Sequence, residues 1–175
     1  EFLQSVDAAI SAVPYHWNET ITKAAIEAAK KPKTRLKGIC DLGGNNAVVN
    51  AQIEMHQLAK NAGVTICFDQ GLAPGLVSTL VRDVVDAFDE VDDIKIYVGG
   101  LPQKKGGVLN HTLTFSISGL INEYVEDAFI LEEGEIKTIP SLRNLERITS
   151  FPNPYSGLEA FTTSGGISTL PQTYK

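Results

Sequence analysis

The stretch Val64 to Gly75, V-T-I-C-F-D-Q-G-L-A-P-G, constrains the fold more than any other part of the chain. A buried-looking apolar run, Val64–Phe68, ends in Asp69 and opens into a turn holding Gly71, Pro74 and Gly75; an amphipathic segment, Leu76–Phe88, follows. Short branched apolar runs that stop at Gly/Pro turns before a helix read as parallel strands, because crossover helices cover them. The same grammar occurs twice upstream. Val6–Val13 stops at Pro14-Tyr15-His16-Trp17-Asn18, and Ile39–Leu42 stops at Gly43-Gly44-Asn45-Asn46. The intervening segments have helical spacing. Glu19–Ala29 carries the stripe Ile21, Ala24, Ala25 and Ala28 behind an Asn18 cap. Ala47–Ala62 presents Val48, Ala51, Ile53, Met55, Leu58 and Ala59, with Asn45 or Asn46 as its cap and Gly63 as its stop. Strand and helix alternate three times, which predicts an α/β unit with right-handed crossovers and a parallel sheet. Ligands of such sheets bind beyond the carboxyl ends of the strands, where Asp69 and both glycine turns fall.

After Glu90 the rhythm changes, and a boundary is expected there, with one domain over residues 1–90 and a second over 91–175. Ile94–Val98 and His111–Ile117 alternate like half-exposed strands and flank a Gly-rich loop, Gly99–Gly107. Gly119–Val125 suits a short helix. Ala128–Leu131 and Glu135–Ile139 read as a hairpin around Glu132-Glu133-Gly134, and Arg147–Ser150 and Leu158–Thr163 are two further strand candidates. The second domain is therefore expected to be α+β with a mostly antiparallel sheet.

Composition narrows the function. A formal net charge of −6 argues against a nucleic-acid partner. The one basic run, Lys30–Lys37, reads as a solvated helix end. No apolar run approaches the roughly 20 residues that span a bilayer, and Glu1-Phe2-Leu3-Gln4 lacks the features of a signal peptide. Cys40 and Cys67 sit inside strand candidates and read as small buried hydrophobes of a reducing, cytoplasmic compartment. Neither CxxC nor HExxH occurs, so no metal site is expected.

Together the motifs resemble the saccharopine dehydrogenase family. The resemblance is carried by S-A-V-P-Y-H-W-N at Ser11–Asn18, C-D-L-G-G-N at Cys40–Asn45 and D-Q-G-L-A-P-G at Asp69–Gly75. It continues in I-K-I-Y-V-G-G-L-P at Ile94–Pro102, G-L-I-N-E-Y at Gly119–Tyr124 and T-S-G-G-I-S-T-L-P at Thr163–Pro171. Within the family the chain is most similar to the lysine 6-dehydrogenase-like branch. Some relatives hold an acidic residue inside the G-L-x-P-G turn, where this chain has Ala73. The resemblance implies a Rossmann-type domain followed by an α+β substrate and dimerisation domain. It also implies NAD- or NADP-dependent oxidation of the amine of a small amino-acid substrate, or the reverse reaction. Ala12, Val13, Pro14 and Tyr15 would then lie beside the nicotinamide and its ribose. Asp41, Gly43, Gly44 and Gly71 would line the cofactor floor. Asn45, Gly75, Gly100, Asn122 and Ser164 would face the substrate. The family's G-x-G-x-x-G run does not precede Val6, so only the second half of the Rossmann-type sheet is expected here.

Amine dehydrogenation needs a group that keeps the amine neutral and a proton relay. Asp69 is the candidate base or ammonium anchor; alternatively it forms the turn through Gly71 or Leu72. His16 is the candidate relay, histidine being the side chain that changes charge nearest neutral pH, or else it packs or caps. Asp41 either bonds a ribose hydroxyl or stiffens the Gly43-Gly44 turn. Asn45 and Asn122 are candidate donors to a carboxylate. Thr163–Gly166 offers an anion site or, equally, a helix cap. Lys104 and Lys105 read as solvated loop charges. Without its expected neighbour, Val6–Val13 is an open apolar sheet edge, which predicts a homo-oligomer or a longer polypeptide. Two rivals stand beside the dehydrogenase reading. One is a non-catalytic remnant serving oligomerisation or small-ligand binding; the other is a reductive relative that forms polyamines.

Overall fold

The structure is a computed structural model that describes residues 1–104, 106, 113 and 115–175. It divides into two compact units, Glu1–Val84 and Val85–Lys175.

The first unit opens with a single turn, α1 (Phe2–Ser5), followed by β1 (Ala8–Ser11). A 3₁₀ turn, Tyr15–Trp17, leads into α2 (Asn18–Ala29). Next come β2 (Gly38–Asp41), α3 (Asn46–Glu54), α4 (His56–Ala62), β3 (Thr65–Cys67) and α5 (Leu76–Val85). The three strands form one parallel sheet in the order β1-β2-β3. Ala8 pairs with Gly38 and Ser11 with Asp41, while Gly38 pairs with Thr65 and Cys40 with Cys67. The strands are shorter than their apolar runs, because Pro14 and the glycine turns end the ladders early.

Every inward-facing strand residue meets a helix. Ile39 on β2, with Ala9 and Ile66 beside it, packs against Ala25, Ala28 and Ala29 of α2 and against Met55 and Ala59. The buried residues of α2 are Asn18, Thr22, Ala25, Ile26, Ala28 and Ala29; of the expected stripe, Ala25 and Ala28 are buried and Ile21 packs against the core, whereas Ala24 is exposed. Asn18 does not cap this helix. It has helical φ and ψ and is buried, and its Oδ1 accepts from Ser11 Oγ at 3.3 Å. Ala47–Ala62 is broken at Met55, whose φ of −81° and ψ of 0° end α3 and start α4. The break turns Val49, Gln52, Met55 and Ala59 inward and leaves Ile53 and Leu58 exposed, contrary to the expected face. Asn45 caps α3, accepting from Val48 N–H at 3.1 Å. Gly63 closes α4 in the left-handed region, at φ 69°.

The charges of the basic run are exposed, Lys30 pairing with Glu27 at the surface at 2.6 Å. Leu36 is buried in the core, and Arg35 forms a bidentate ion pair with Asp7. That contact holds the Asp7 carboxyl below the usual range, mainly through the Arg35 hydrogen bond. The helices cover only one sheet face. Ile10 and Cys67 on the other face are exposed and Cys40 is half-buried, so the expectation of strands buried on both faces, with two buried cysteines, does not hold. The helix after Gly75 ends at Val85, short of the expected Phe88.

The second unit holds α6 (Ile117–Val125), a hairpin of β4 (Ala128–Glu132) and β5 (Glu135–Ile139), a small ladder of β6 (Glu146–Arg147) and β7 (Glu159–Ala160), and α7 (Leu170–Tyr174). Both ladders are antiparallel. Glu133 and Gly134, at φ 53° and 74°, make the two-residue turn whose twist matches a hairpin. Ser116 caps α6 through Gly119 N–H at 3.2 Å. Ile94–Val98 is not a strand among the described residues; instead Tyr97 donates to Glu146 at 2.9 Å, and Lys95 pairs with the same carboxylate. Residues 111, 112 and 114 of the expected strand His111–Ile117 lie outside the described residues, as does Lys105; Leu113, Phe115 and Ser116 are in no strand, and Ile117 begins α6. The chain is thus mixed α/β, with a small parallel sheet and separate antiparallel ladders. Among the described residues no helix is long and apolar enough to cross a membrane.

Candidate functional site

Because β1, β2 and β3 run parallel, their carboxyl tips emerge at one end of the sheet, and three turns meet there. The β1 tip contributes Ala12, Val13 and Pro14, all exposed, and then the half-buried Tyr15. The β2 tip contributes Asp41, Gly43, Gly44 and Asn45; the β3 tip contributes Asp69 and the turn to Gly75.

The turns lock together through Asp41, which is 2% exposed. Its Oδ1 accepts from Gly43 N–H at 2.8 Å and Asp69 N–H at 3.3 Å, and its Oδ2 accepts from Gln52 Nε2 at 2.7 Å. The same Gln52 nitrogen lies 2.9 Å from Thr22 Oγ1. One carboxylate therefore joins two strand tips to α3 and α2. Both its oxygens accept hydrogen bonds from within the protein, so Asp41 stiffens the turn between the two strand tips. A second link runs from Gln70 N–H to the Asp41 carbonyl at 2.7 Å.

Asp69 is 7% exposed and left-handed, at φ 59°. Its carboxylate lies over Gly43, where a Cβ would come within 1.9 Å of Oδ1. Gly43 is left-handed as well, at φ 72°, so this position excludes a side chain on two counts. Gly75 is equally fixed: a Cβ there would stand 2.3 Å from the Gly71 carbonyl oxygen. The Asp69–Gly75 turn folds back on itself, with Gly71 bridged to Gly75 and Pro74 buried. Tyr15 packs beside Gly44, its Cβ and Cδ1 lying 3.7 and 3.8 Å from where a Gly44 Cβ would be. His16 is exposed and stacks on its neighbours, with ring centroids 5.6 Å from Trp17 and 6.0 Å from Tyr15.

The tips thus bring Tyr15, Gly43, Gly44, Asn45, Asp69, Gly71 and Gly75 into one cluster. Gln52 and Thr22 were missed in the sequence. The signal for Gln52 was a polar residue in step with Val49, Met55 and Ala59, at the spacing of a buried helix face.

In the second unit, Asn122 and Ser164 are brought together. Ser164 Oγ donates to the Asn122 carbonyl at 2.8 Å, and Ser164 N–H donates to the Glu123 carbonyl at 3.0 Å. Ser164 is 1% exposed, so its hydroxyl and N–H tie the loop to α6. It caps no helix either, since α7 starts six residues later behind Thr169. Burial pushes the neighbouring Glu123 carboxyl up from its ordinary value. Gly100 lies in an exposed, unladdered segment. No group of three or more metal-ligating side chains occurs among the described residues.

A family model for the saccharopine dehydrogenase C-terminal domain matches residues 71–174. The chain belongs to the saccharopine dehydrogenase family. Among curated proteins it is similar to saccharopine dehydrogenase [NADP(+), L-glutamate-forming] of Pyricularia oryzae, 26% identical over 139 residues. It is also similar to the mitochondrial alpha-aminoadipic semialdehyde synthases of mouse (25%) and rat (23%), each over 143 residues. These matches take in 76% and 78% of this chain but only 29% of the fungal protein and 14% of the rodent ones. Within this saccharopine dehydrogenase family member, Gly71, Gly75, Gly100, Asn122 and Ser164 fall inside the matched domain. Tyr15, Gly43, Gly44 and Asp69 precede it.

Proposed function

We propose that this chain is part of a pyridine-nucleotide-dependent oxidoreductase acting on the amine of an amino acid, of the lysine 6-dehydrogenase or saccharopine dehydrogenase type. The observation that carries the reading is the strand-tip cluster. Three parallel strands end together, their turns are locked by Asp41, and the buried carboxylate of Asp69 sits at the same end of the sheet. Family membership supports the reaction class, and the name of the fungal relative supports the cofactor class.

The residues present fit the nicotinamide end of such a cofactor. Ala12, Val13 and Pro14 form an exposed apolar ledge at the β1 tip, and Tyr15, next in sequence, packs beside Gly44. When bound, the cofactor supplies the hydride acceptor. The protein's share is placement and charge. Asp69 holds a negative charge where a substrate ammonium would be drawn, and its burial strengthens that attraction relative to water. Tyr15 flanks the ledge and orients the ring, His16 at the rim relays the proton to solvent, and Asn45 belongs to a substrate-facing turn.

Calorimetric titration of the chain with NADH and NADPH, alone and with lysine or saccharopine, tests this reading. Binding of either nucleotide that weakens in Tyr15→Ala is expected. Heats no larger than buffer for both nucleotides, in the presence of either amino acid, would reject it.

A second reading is favoured by one observation. Ile10 on the edge strand is 74% exposed, on the uncovered sheet face. We propose that this edge serves self-association, giving a homo-oligomer. Sedimentation velocity of Ile10→Lys against the unmodified chain checks it, with loss of a dimer expected.

A further inference from the structure

The uncovered face of the parallel sheet carries more than apolar surface. Ile10, Cys40 and Cys67 occupy paired positions across β1, β2 and β3. Side chains alternate along a strand, so this row points away from the face that holds Ile39, Asp41 and Ile66 against the helices. Cys67 is exposed and Cys40 half-buried, both are free thiols, and the chain has no other cysteine. Paired residues of neighbouring strands stand about 4.8 Å apart. That lies inside the Cα window of roughly 4.4–6.8 Å that a disulfide spans.

We propose that Cys40 and Cys67 form a paired-thiol site that reacts with small-molecule disulfides to close a cross-strand bond. The difference in exposure assigns the order. The Cys67 thiolate attacks one sulfur of glutathione disulfide, forming a mixed disulfide and releasing one glutathione thiolate. The Cys40 thiolate then attacks the Cys67 sulfur, closing the protein disulfide and releasing the second glutathione. Two protein thiols are oxidised, one small disulfide is reduced to two thiols, and the two protons end on the departing glutathiones. Neighbouring strands hold paired Cβ atoms farther apart than the mean of about 3.8 Å in a relaxed disulfide, so closure pulls β2 and β3 together and the bond reopens readily in dithiol. The pull acts next to Asp41 and two residues before Asp69, the two residues whose 3.3 Å hydrogen bond joins the same strands one step further on. Oxidation at the thiols is thereby transmitted to the strand tips. The inference rests on the ladder register and holds whether or not the chain binds a nucleotide.

The test is a peptide map of the folded chain after exposure to glutathione disulfide. Trypsin cuts after Lys37, Lys60 and Arg82, which separates Cys40 in peptide 38–60 from Cys67 in peptide 61–82. The expected result is a non-reduced digest in which these two peptides are linked, in a monomer that has lost two hydrogens and regains them in dithiothreitol. In Cys40→Ser the linked pair is lost and the reaction stops at a glutathione adduct on Cys67. In Cys67→Ser the adduct on Cys40 forms more slowly. Cys40→Ala and Cys67→Ala are read in the same way should a serine variant lose the native circular dichroism spectrum. A stable glutathione adduct on Cys67 in the unmodified chain, linkage seen only in urea, or covalent dimers in place of the internal link would each overturn the proposal.

Discussion

The two units of this chain contain similar amounts of polypeptide but stabilise it differently. In the first, one apolar cluster runs from Ala25 through Leu36, Ile39, Met55 and Ala59 to Val64, filling the space between a sheet face and the helices that cross it. In the second, Ala128, Ile148 and Pro171 are the buried apolar residues among those described, and order rests on a two-residue hairpin turn, a short ladder and the Ser164 tie to α6. The difference is topological. A parallel pair needs a crossover of a dozen or more residues, and that crossover supplies a helix that buries the sheet. An antiparallel pair closes through two residues and brings no helix with it. The first unit should therefore respond to cavities, and the second to changes in turns and polar ties.

The largest expected effect is Leu36→Ala. Removing a side chain that is 2% exposed should cost about 2–5 kcal/mol. Hydrogen exchange read by mass spectrometry should show the loss across α2, β2 and α4 but not in the β4–β5 hairpin. Equal loss in both units would mean that they share one cooperative transition, and would break the comparison.

Gln52→Ala comes next. It strips the Asp41 carboxylate of a buried donor, at an expected cost of about 1–3 kcal/mol by chemical denaturation. The strand tips should loosen with it, read as faster exchange at Gly43 and Asp69. A denaturation midpoint unchanged from the parent chain would show that the Asp41 hub carries no weight.

Gly134→Ala probes the second unit. A Cβ at this position meets no atom within 4 Å, so the penalty is conformational, from φ 74°, at about 1–2 kcal/mol. Protection should fall in β4 and β5 alone.

The smallest effect concerns pH. Burial raises the Glu123 carboxyl in the folded state, so between its unfolded and folded titration ranges the folded chain holds the proton more tightly. Stability contributed by this group is present below the unfolded value and declines as pH rises through the folded one. Glu123→Gln should remove that decline, measured as a flatter dependence of thermal unfolding on pH as it rises above the ordinary glutamate range.

Particular residues show how far the chain could be read before its fold was known. The three strands, the hairpin turn at Glu133-Gly134, the Asn45 cap and the Gly63 stop were all legible, because each is set by neighbours within about four positions. The strand-tip site was legible as a place, since its glycines and Asp69 punctuate the strands. Its internal wiring was not. Asp41 bonds Asp69 across 28 positions, and Gln52 meets Thr22 across 30. Periodicity marks Gln52 as inward-facing but names neither contact's partner. Leu36 lay hidden in a basic run, and Ile53 and Leu58 turn outward, although Met55 and Ala59 of the same expected face are buried, because the helix breaks at Met55.

By itself, then, the sequence determined the order of strand and helix, the turns that demand glycine, the change of rhythm in the second half, and motifs dense enough to place the chain in its family. Local sterics and short-range hydrogen bonds suffice for all of these. Only the tertiary structure decided that Asp41 is an internal hub, that Ser164 is tied to α6, and that Cys40 and Cys67 stand side by side on an open face. These depend on strand register and on which helix face turns inward, and both are settled when distant segments pack together.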